Sequence, residues 1–261
     1  MSVGIAIITC DRQIMFEECL NSIKQTHQDK IDHIIVVNDG ENTIERDDCF
    51  VINNKTNLGV GKSKNIALEK LKSLGCEHLF LVEDDVKFIS SETTDTYIEL
   101  ARVAGIKHLN FCLHGTANMY NEQPAPKLIV DYKNTQMALY HNVTGATSYY
   151  HIDSINQCGL MDLEYKNAME HVDHTMRIIK AGMHPPFRWF ADVAESNKLI
   201  SDQDPSLDNS KIRQDNVWKD NFIHGVKRFH ELYDINVCGT NQPCDTKEQV
   251  IEFLKNKRNE N

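Results

Sequence analysis

Residues 79–88 read Leu-Phe-Leu-Val-Glu-Asp-Asp-Val-Lys-Phe, so three adjacent carboxylates interrupt an apolar run. Such a run is typical of a buried parallel strand, and ligands of open α/β sheets bind at the carboxyl ends of the strands. Adjacent acids repel one another, so burying Glu83, Asp84 and Asp85 together requires a cation or several hydrogen-bond donors. A solvated acidic turn is the alternative. The apolar strand in front of the acids favours a ligand site.

The size and composition of the chain are those of an ordinary globular protein. Its 261 residues fit one large domain, with 41% apolar and 25% charged residues. The net charge of −10 argues against a uniformly basic nucleic-acid binder. No stretch approaches 18 consecutive apolar residues, so we expect no membrane span. No basic region precedes the short apolar run 3–9, and the eight cysteines form no C-x-x-C pair. We therefore expect a reduced, cytoplasmic protein.

Strands and helices alternate along most of the chain. The predicted strands are 3–9, 33–38, 50–53, 79–83, 108–113 and 188–193. The predicted helices are 14–24, 58–74, 92–103, 167–180, 217–232 and 247–257. This alternation predicts an α/β fold with a mostly parallel sheet and right-handed crossovers. Between these elements, 117–142 is predicted to form a hairpin or loop insertion over the sheet edge, and 196–216 a loop.

Four further motifs accompany the acidic strand end in sequence order. They are Ile8-Thr9-Cys10-Asp11-Arg12, Val37-Asn38-Asp39-Gly40, Asn57-x-Gly59-x-Gly61-x-x-x-Asn65 and Glu170-His171-Val172-Asp173-His174-Thr175-Met176-Arg177. Together with residues 83–85 they resemble the inverting family-2 glycosyltransferases and their relatives of GT-A fold, over roughly residues 3–193. The resemblance implies a Rossmann-like GT-A domain whose sheet is flanked by helices. It also implies transfer of a sugar from a nucleotide-diphosphate donor to an acceptor hydroxyl.

The resemblance assigns the donor-binding residues. Asp85 is implied as the direct ligand of Mn²⁺ or Mg²⁺. Asp84 is implied to contact the ribose, and Glu83 is implied to support the metal-binding residues without contacting the metal itself. Asp39 is placed to accept the imide N–H of uracil, which favours a UDP-sugar. The remaining donor-site candidates are Thr9, Asp11 and Arg12 at the base, Asn57, Gly59 and Asn65 at the start of the helix, and Lys64 or Lys62 at the diphosphate. A solvated helix lysine is the alternative for the last pair.

A histidine near the C-terminus completes the metal shell in some enzymes of this fold, which makes His224 a second candidate ligand. A surface histidine on an amphipathic helix is the alternative reading for His224.

The acceptor hydroxyl needs a general base on the sugar face opposite the leaving group. The family places this base at the second acid of an E-D pair, and here that position is His171. Glu170, His171 and Asp173 are therefore all candidates, with Asp173 favoured because Arg177 nearby could keep it ionised. A plain helix salt bridge between Asp173 and Arg177 is the alternative.

Other classes of protein remain open on sequence alone. Gly61-Lys62-Ser63 before a helix is similar to a phosphate-binding loop, but that motif requires glycine at position 56, where this chain has Thr56. A nucleotidyltransferase would share the acidic strand end, and a non-catalytic sugar-nucleotide binder would explain His171. We expect a catalytic domain at 1–195 and a loop with helical extension at 196–261, packed on it.

The sequence does not identify the acceptor or the oligomeric state. The C-terminal segment mixes basic and aromatic residues, namely Lys211, Arg213, Trp218, Lys219, Lys227 and Arg228. A saccharide, a small molecule, a protein or a hydroxymethylated base of DNA fits this segment as acceptor.

Overall fold

A six-stranded sheet lies at the centre of the fold. The computed structural model describes residues 2–27, 29–206, 208–239 and 244–259. The strands are β1 Val3–Thr9, β2 His33–Asn38, β3 Phe50–Asn53, β4 His78–Glu83, β5 Val86–Phe88, β6 His108–Asn110, β7 Met119–Tyr120, β8 Gln123–Pro124, β9 Leu128–Tyr132, β10 Thr135–Tyr140, β11 Thr147–His151, β12 Phe190–Val193 and β13 Ile200–Asp202. The helices are α1 Gln13–His27, α2 Val60–Ser73, α3 Thr93–Ala104, α4 Ile152–Cys158, α5 Glu170–Lys180, α6 Lys211–Gln214, α7 Trp218–Tyr233 and α8 Lys247–Asn259.

The strand order of the central sheet is β3-β2-β1-β4-β11-β6. The pairs β3–β2, β2–β1 and β1–β4 are parallel, whereas β11 runs antiparallel to both of its neighbours. Thr9 pairs with Asn38 and Ile8 pairs with Glu83, so the carboxyl ends of three strands meet at one edge. The predicted mostly parallel α/β sheet is confirmed, although the sequence pattern missed β11.

Helices cover both faces of this sheet. Ile5 and Ile7 of β1 join the core cluster that contains the apolar side of α1, whereas Ala6 and Ile8 join the cluster that contains that of α2. Successive side chains of a strand point to opposite faces, so a strand that is apolar throughout must be buried on both. This burial holds the strand ends, and the polar loops after them, in a fixed arrangement.

A smaller sheet of order β12-β10-β9 lies beside the central sheet. The antiparallel pair β9–β10 is the predicted hairpin, while the strand predicted at 188–193 pairs with β10 and does not join the central sheet. Asp192 of β12 is buried and accepts hydrogen bonds from the Tyr97 hydroxyl and the Cys112 N–H, at 2.7 and 2.8 Å. These bonds connect the small sheet to α3 and to the segment after β6.

The C-terminal part of the chain contains more regular structure than the sequence predicted. Within the segment 196–216, expected to be a loop, β13 pairs antiparallel with β5 and α6 forms a short helix. The two predicted terminal helices are present as α7 and α8. Phe229 of α7 packs into a cluster with Val172 of α5. No helix of the described ranges is both long and apolar enough to cross a bilayer.

Three buried histidines connect the core elements in their neutral form. His108 donates from Nδ1 to the carbonyl of Tyr149 at 2.8 Å, and His174 donates from Nε2 to the carbonyl of Gly159 at 2.9 Å. Nε2 of His184 accepts a backbone N–H. Burial lowers the pKa of His174 and of His184 to about 4, and that of His108 well below its usual value. The contribution of each histidine to the free energy of unfolding is therefore fully present above pH 6.5 and is lost as the pH falls from 6.5 toward 4.

We predict that His174→Gln makes unfolding less sensitive to acid. The unfolded wild-type chain gains a proton at this histidine near pH 6.5, whereas the folded chain does not, so the site removes about 1.4 kcal/mol of stability between pH 7.5 and 5.5. Urea unfolding at both pH values should show that loss reduced by this amount in the variant. Burial raises the pKa of Asp192 to about 7, so this carboxyl increases the free energy of unfolding as the pH falls. The test is therefore the change between the two pH values in the variant, compared with the same change in the wild type. His230→Gln, on the exposed side of α7, is the control and should retain the wild-type difference.

Candidate functional site

Two adjoining cavities open where the strands β1, β2 and β4 end. The larger has a volume of about 480 Å³ and the smaller about 170 Å³. Glu83 and Asp85 line both cavities and therefore mark their junction. The residues Ser210 and Ile212, before and within α6, also line both. The acidic end of β4 thus lies between two compartments that share one covering segment.

The two aspartates of the acidic motif have different surroundings. Asp84 is fully buried and lines neither cavity, because Arg12 forms an ion pair with one carboxylate oxygen and the Thr9 hydroxyl donates to the other at 2.6 Å. Burial raises the pKa of Asp84 to about 7, and the charge of Asp85 adds to this, although Arg12 opposes it. The geometry does not support the predicted ribose contact of Asp84, since both of its oxygens are engaged within the protein.

Asp85 has an oxygen available to a ligand. Its Oδ2 accepts a hydrogen bond from Arg12 Nη1 at 3.1 Å. Its Oδ1 is buried and has no hydrogen-bond partner within the described part of the chain. Burial raises the pKa of Asp85, and the charge of Glu83 raises it further. The charges of His114 and Arg12 lower it, but by less. A buried, unpartnered carboxylate oxygen at the junction of two cavities is a suitable ligand for a hard divalent cation.

His114 also belongs to the site, and the sequence reasoning missed it. It lines the larger cavity, with Nδ1 at 3.3 Å from an oxygen of Asp202 in β13. Burial alone would lower the pKa of His114, but Asp202, Asp85 and Glu83 outweigh that effect and raise it. His114 directly follows the predicted strand 108–113, so the strand-end rule that identified Asp85 would have found it. His224, the predicted ligand, is exposed on α7 and lines neither cavity.

Asp39 lines the smaller cavity and fixes the loop that leads into α2. Its carboxylate accepts the backbone N–H groups of Leu58 and Gly59, both at 2.8 Å, and the side-chain amide of Asn54 at 2.7 Å. Gly59 has a φ of 86°, and a Cβ there would lie 2.6 Å from Oδ1 of Asn167. Glycine is therefore required at this position, and the loop backbone is held rigidly against the cavity. Asn57 also lines the smaller cavity.

Two further predicted donor-site residues, Asp11 and Asn65, line neither cavity. Asp11 is exposed and accepts the backbone N–H of Glu41 at 2.9 Å. Asn65 is buried and exchanges two hydrogen bonds with the backbone of Met161, at 2.8 and 2.9 Å. Both side chains shape the protein around the site, and neither lines a cavity wall.

Lys64 is a buried counterion and not a solvated helix residue. Its ammonium lies 2.7 Å from an oxygen of Glu83 and 3.2 Å from an oxygen of Glu170, and it donates to the carbonyl of Gly145 at 3.2 Å. Burial would lower the pKa of Lys64, but the two carboxylates raise it, and in return the pKa of Glu83 is lowered. Lys64 therefore lies beneath the site and does not line either cavity where a diphosphate could reach it.

The three candidate bases on α5 separate into two groups. Glu170 and His171 line the larger cavity, and His171 Nδ1 lies 3.3 Å from Oε1 of Glu170. Asp173 points toward α7, where it accepts the Tyr233 hydroxyl at 2.7 Å and Arg177 Nε at 3.0 Å. The geometry therefore does not support Asp173 as the favoured base, because its carboxylate is fully engaged away from the cavity wall.

Part of the lining of the larger cavity comes from the C-terminal segment. Trp218 and Phe222 of α7 line it with their rings stacked, 5.6 Å apart and inclined by 20°. The guanidinium of Arg213 lies 5.6 Å from the Trp218 ring. Of the basic and aromatic residues noted in the sequence of this segment, Lys211, Arg213 and Trp218 line the two cavities, whereas Lys219, Lys227 and Arg228 line neither.

Comparison with known proteins gives structural neighbours only. No family model matches the chain, and no curated protein matches it. S. aureus TarS 1–349 aligns with a TM-score of 0.50 at 19% identity, over 68% of this chain and 55% of that one. The complex of TarS 1–349 with UDP aligns with a TM-score of 0.51 at 18% identity, over 69% of this chain and 55% of that one. GalNAc-T7 in complex with UDP, GalNAc and Mn²⁺ aligns with a TM-score of 0.52 at 10% identity, over 68% of this chain and 40% of that one. The aligned region thus spans about half the length of these proteins.

These neighbours are glycosyltransferases of GT-A fold. At identities of 10–19% the likeness establishes the fold and leaves the activity to be argued from the site. The parallel strands β3-β2-β1-β4, the helices on both faces and the acidic end of β4 agree with that result. The chain has the GT-A fold of the nucleotide-sugar transferases, as its sequence motifs predicted.

Proposed function

We propose that the protein transfers a sugar from a UDP-sugar to an acceptor hydroxyl with inversion at the anomeric carbon, using Mn²⁺ or Mg²⁺. The observation that carries the proposal is the buried, unpartnered oxygen of Asp85 at the junction of the two cavities. In this arrangement the smaller cavity holds the nucleoside and the larger one holds the sugar and the acceptor. The diphosphate then lies at Asp85.

The smaller cavity has the chemistry required for a uridine. Asp39 receives three hydrogen bonds from the protein, and a carboxylate has about four lone-pair positions, so one position stays available for an imide N–H. Thr9, Arg12 and Asn57 line the same cavity. TarS and GalNAc-T7, which share the fold, have both been crystallised with UDP.

The residues at the junction fit a divalent cation. Among the described residues no group of three or more His, Cys, Asp or Glu could hold a metal by itself. Mg²⁺ and Mn²⁺ nevertheless commonly use one or two carboxylates and take their other ligands from phosphate and water. When bound, the cation neutralises the charge that develops on the departing diphosphate. Asp85 would hold it, while Arg12 balances the charges of Asp84 and Asp85. A contribution of His224 stays a prediction.

The larger cavity has the features of an acceptor site. Glu170 and His171 line it together with Trp218, Phe222 and Arg213. An acceptor bound here attacks the anomeric carbon from the face opposite the nucleotide, and that direction of attack inverts the centre. A saccharide, a small molecule or a hydroxymethylated DNA base remains compatible with these walls. We retain the division into a catalytic domain at 1–195 and an extension at 196–261, which we propose completes the acceptor site.

Product analysis distinguishes this function from its alternatives. Incubation with UDP-glucose and UDP-N-acetylglucosamine in the presence of Mn²⁺ should release UDP, whereas a nucleotidyltransferase would release pyrophosphate and an NTPase inorganic phosphate. A non-catalytic binder would show UDP binding without turnover.

We predict that Asp85→Asn abolishes the metal dependence of UDP binding. A ligand that binds only the folded state stabilises it by about 2.7 kcal/mol at 100 times its Kd, so UDP should raise the Tm of the wild type strongly with Mn²⁺ and weakly with chelator. In the variant the two UDP-induced shifts should be equal. Differential scanning fluorimetry measures both, and Asp47→Ala, an exposed acid between β2 and β3, is the control. Equal shifts in the wild type would contradict metal dependence.

A matched pair of lysine variants tests the phosphate-loop alternative. Lys62 is exposed and lines neither cavity, so Lys62→Ala should lower UDP release less than about tenfold and leave stability nearly unchanged. Lys64→Met leaves Glu83 and Glu170 buried without their counterion and should lower the free energy of unfolding by about 3–5 kcal/mol. Urea unfolding and a UDP-release assay measure the two effects. Loss of nucleotide binding in Lys62→Ala, with ATP or GTP preferred, would instead indicate an NTPase.

A further inference from the structure

We infer that His171 accepts the proton of the acceptor hydroxyl at Nε2, and that Glu170, held by Lys64, is the positioning residue that orients the imidazole. This inference rests on the proposed function and specifies its base. The geometry points to a carboxylate–imidazole pair at the position where related enzymes are expected to use a carboxylate alone. The pair is built from two neighbouring residues at the start of α5.

The hydrogen bond between the two side chains fixes the tautomer of His171. A carboxylate can only accept, so the contact of 3.3 Å from Glu170 Oε1 requires the proton of the neutral imidazole to lie on Nδ1. Nε2 is then unprotonated and can accept a proton. The His171 side chain is 22% exposed and lines the larger cavity, whereas that of Glu170 is 4% exposed. His171 is therefore the more accessible member of the pair.

Lys64 determines which member of the pair is the better base. Burial alone would raise the pKa of Glu170, but the charge of Lys64, joined by that of His171 when the imidazole is protonated, outweighs burial and lowers it well below its usual value. A carboxylate that is so strongly stabilised in its ionised form has little tendency to take a proton from a hydroxyl. It can still hold the imidazole and stabilise the imidazolium that forms, so the proton passes to His171.

Gly145 provides the space that this arrangement needs. A Cβ at this position would lie 3.0 Å from His171 Nδ1 and 3.2 Å from the Lys64 ammonium. The carbonyl of the same residue accepts a hydrogen bond from Lys64 at 3.2 Å. A side chain at residue 145 would therefore crowd both the imidazole and the lysine that holds its partner.

Several elements contribute charge around His171. The groups are Glu170 from α5, Lys64 from α2, Glu83 and Asp85 from the end of β4, His114 after β6 and Arg213 from α6. Among the carboxylates of this group, Glu170 is the one that forms an ion-pair contact within 4 Å of the imidazole. Removing the Glu170 charge should therefore move the acid limb of the pH–rate profile to lower pH, because a nearby negative charge favours the protonated imidazole.

The proposed step is balanced by the groups present. The acceptor oxygen forms a bond to the anomeric carbon while the bond from that carbon to the terminal phosphate oxygen of UDP breaks. UDP leaves with the electron pair of that bond, and the hydroxyl proton moves to Nε2 of His171. The imidazolium then faces the Glu170 carboxylate and returns its proton to water once the product has left.

The kinetic test uses UDP release from UDP-N-acetylglucosamine or UDP-glucose, with water as the acceptor, between pH 5.5 and 8.5. His171→Gln should lower kcat by about 10²–10⁴-fold, abolish the acid limb and leave UDP binding unchanged. Glu170→Gln should lower kcat less and shift the acid limb to lower pH. His230→Gln, exposed on α7, should match the wild type. An active His171→Gln variant with an unchanged acid limb, or loss of activity only in Asp173→Asn, would overturn the inference.

A second measurement does not depend on turnover. In ¹⁵N-histidine-labelled protein at pH 8, the His171 resonance, assigned by its absence in His171→Gln, should show a protonated Nδ1 and a bare Nε2. The opposite tautomer would overturn the inference even in an active enzyme. A wild type that neither binds a UDP-sugar nor releases UDP would instead refute the proposed function, so the two failures are distinguishable.

Discussion

The neutralisation of carboxylates at the end of β4 is the constraint on which the rest of the site depends. Removing an ion from water costs several kcal/mol unless partners replace the lost hydration. Arg12 contacts Asp84 and Asp85 on one side of the motif, and Lys64 contacts Glu83 and reaches Glu170 on the other. Arg12 lies in the loop after β1 and Lys64 lies in α2, so forming the site requires β1, α2, β4 and α5 to be packed together.

This distribution of charge also gives Glu83, Asp84 and Asp85 different partners. Asp84 is buried with both oxygens engaged and serves to hold Arg12, whereas Asp85 has one oxygen without a partner among the described residues. Glu83 shares Lys64 with Glu170 and thereby links the acidic motif to the helix that carries His171. A change at Lys64 would therefore affect the surroundings of both the acidic motif and His171, although Lys64 lines neither cavity.

The sequence predicted those features that depend on local patterns. The apolar run before Glu83 and the alternation of strands and helices were sufficient for the sheet and for the position of Asp85. Helical spacing placed Glu170 and Asp173 on similar faces, but it could not show that Tyr233, 60 residues away, would engage Asp173. The role of Lys64 likewise depends on a partner 106 residues away. The strand β11 was missed because Thr147–His151 mixes polar and aromatic residues after a loop, with no apolar run to identify it.

The presentation of the Glu170–His171 pair depends on both parts of the chain. Met169, which precedes the pair, has a φ of 70°, a conformation that is uncommon for a residue other than glycine. Gly225 of α7 packs closely against this residue, since a Cβ there would lie 3.0 Å from the Met169 side chain. Tyr233 of the same helix holds Asp173 one turn further along α5. The C-terminal segment after residue 195 therefore packs against the start of α5 and also lines the larger cavity.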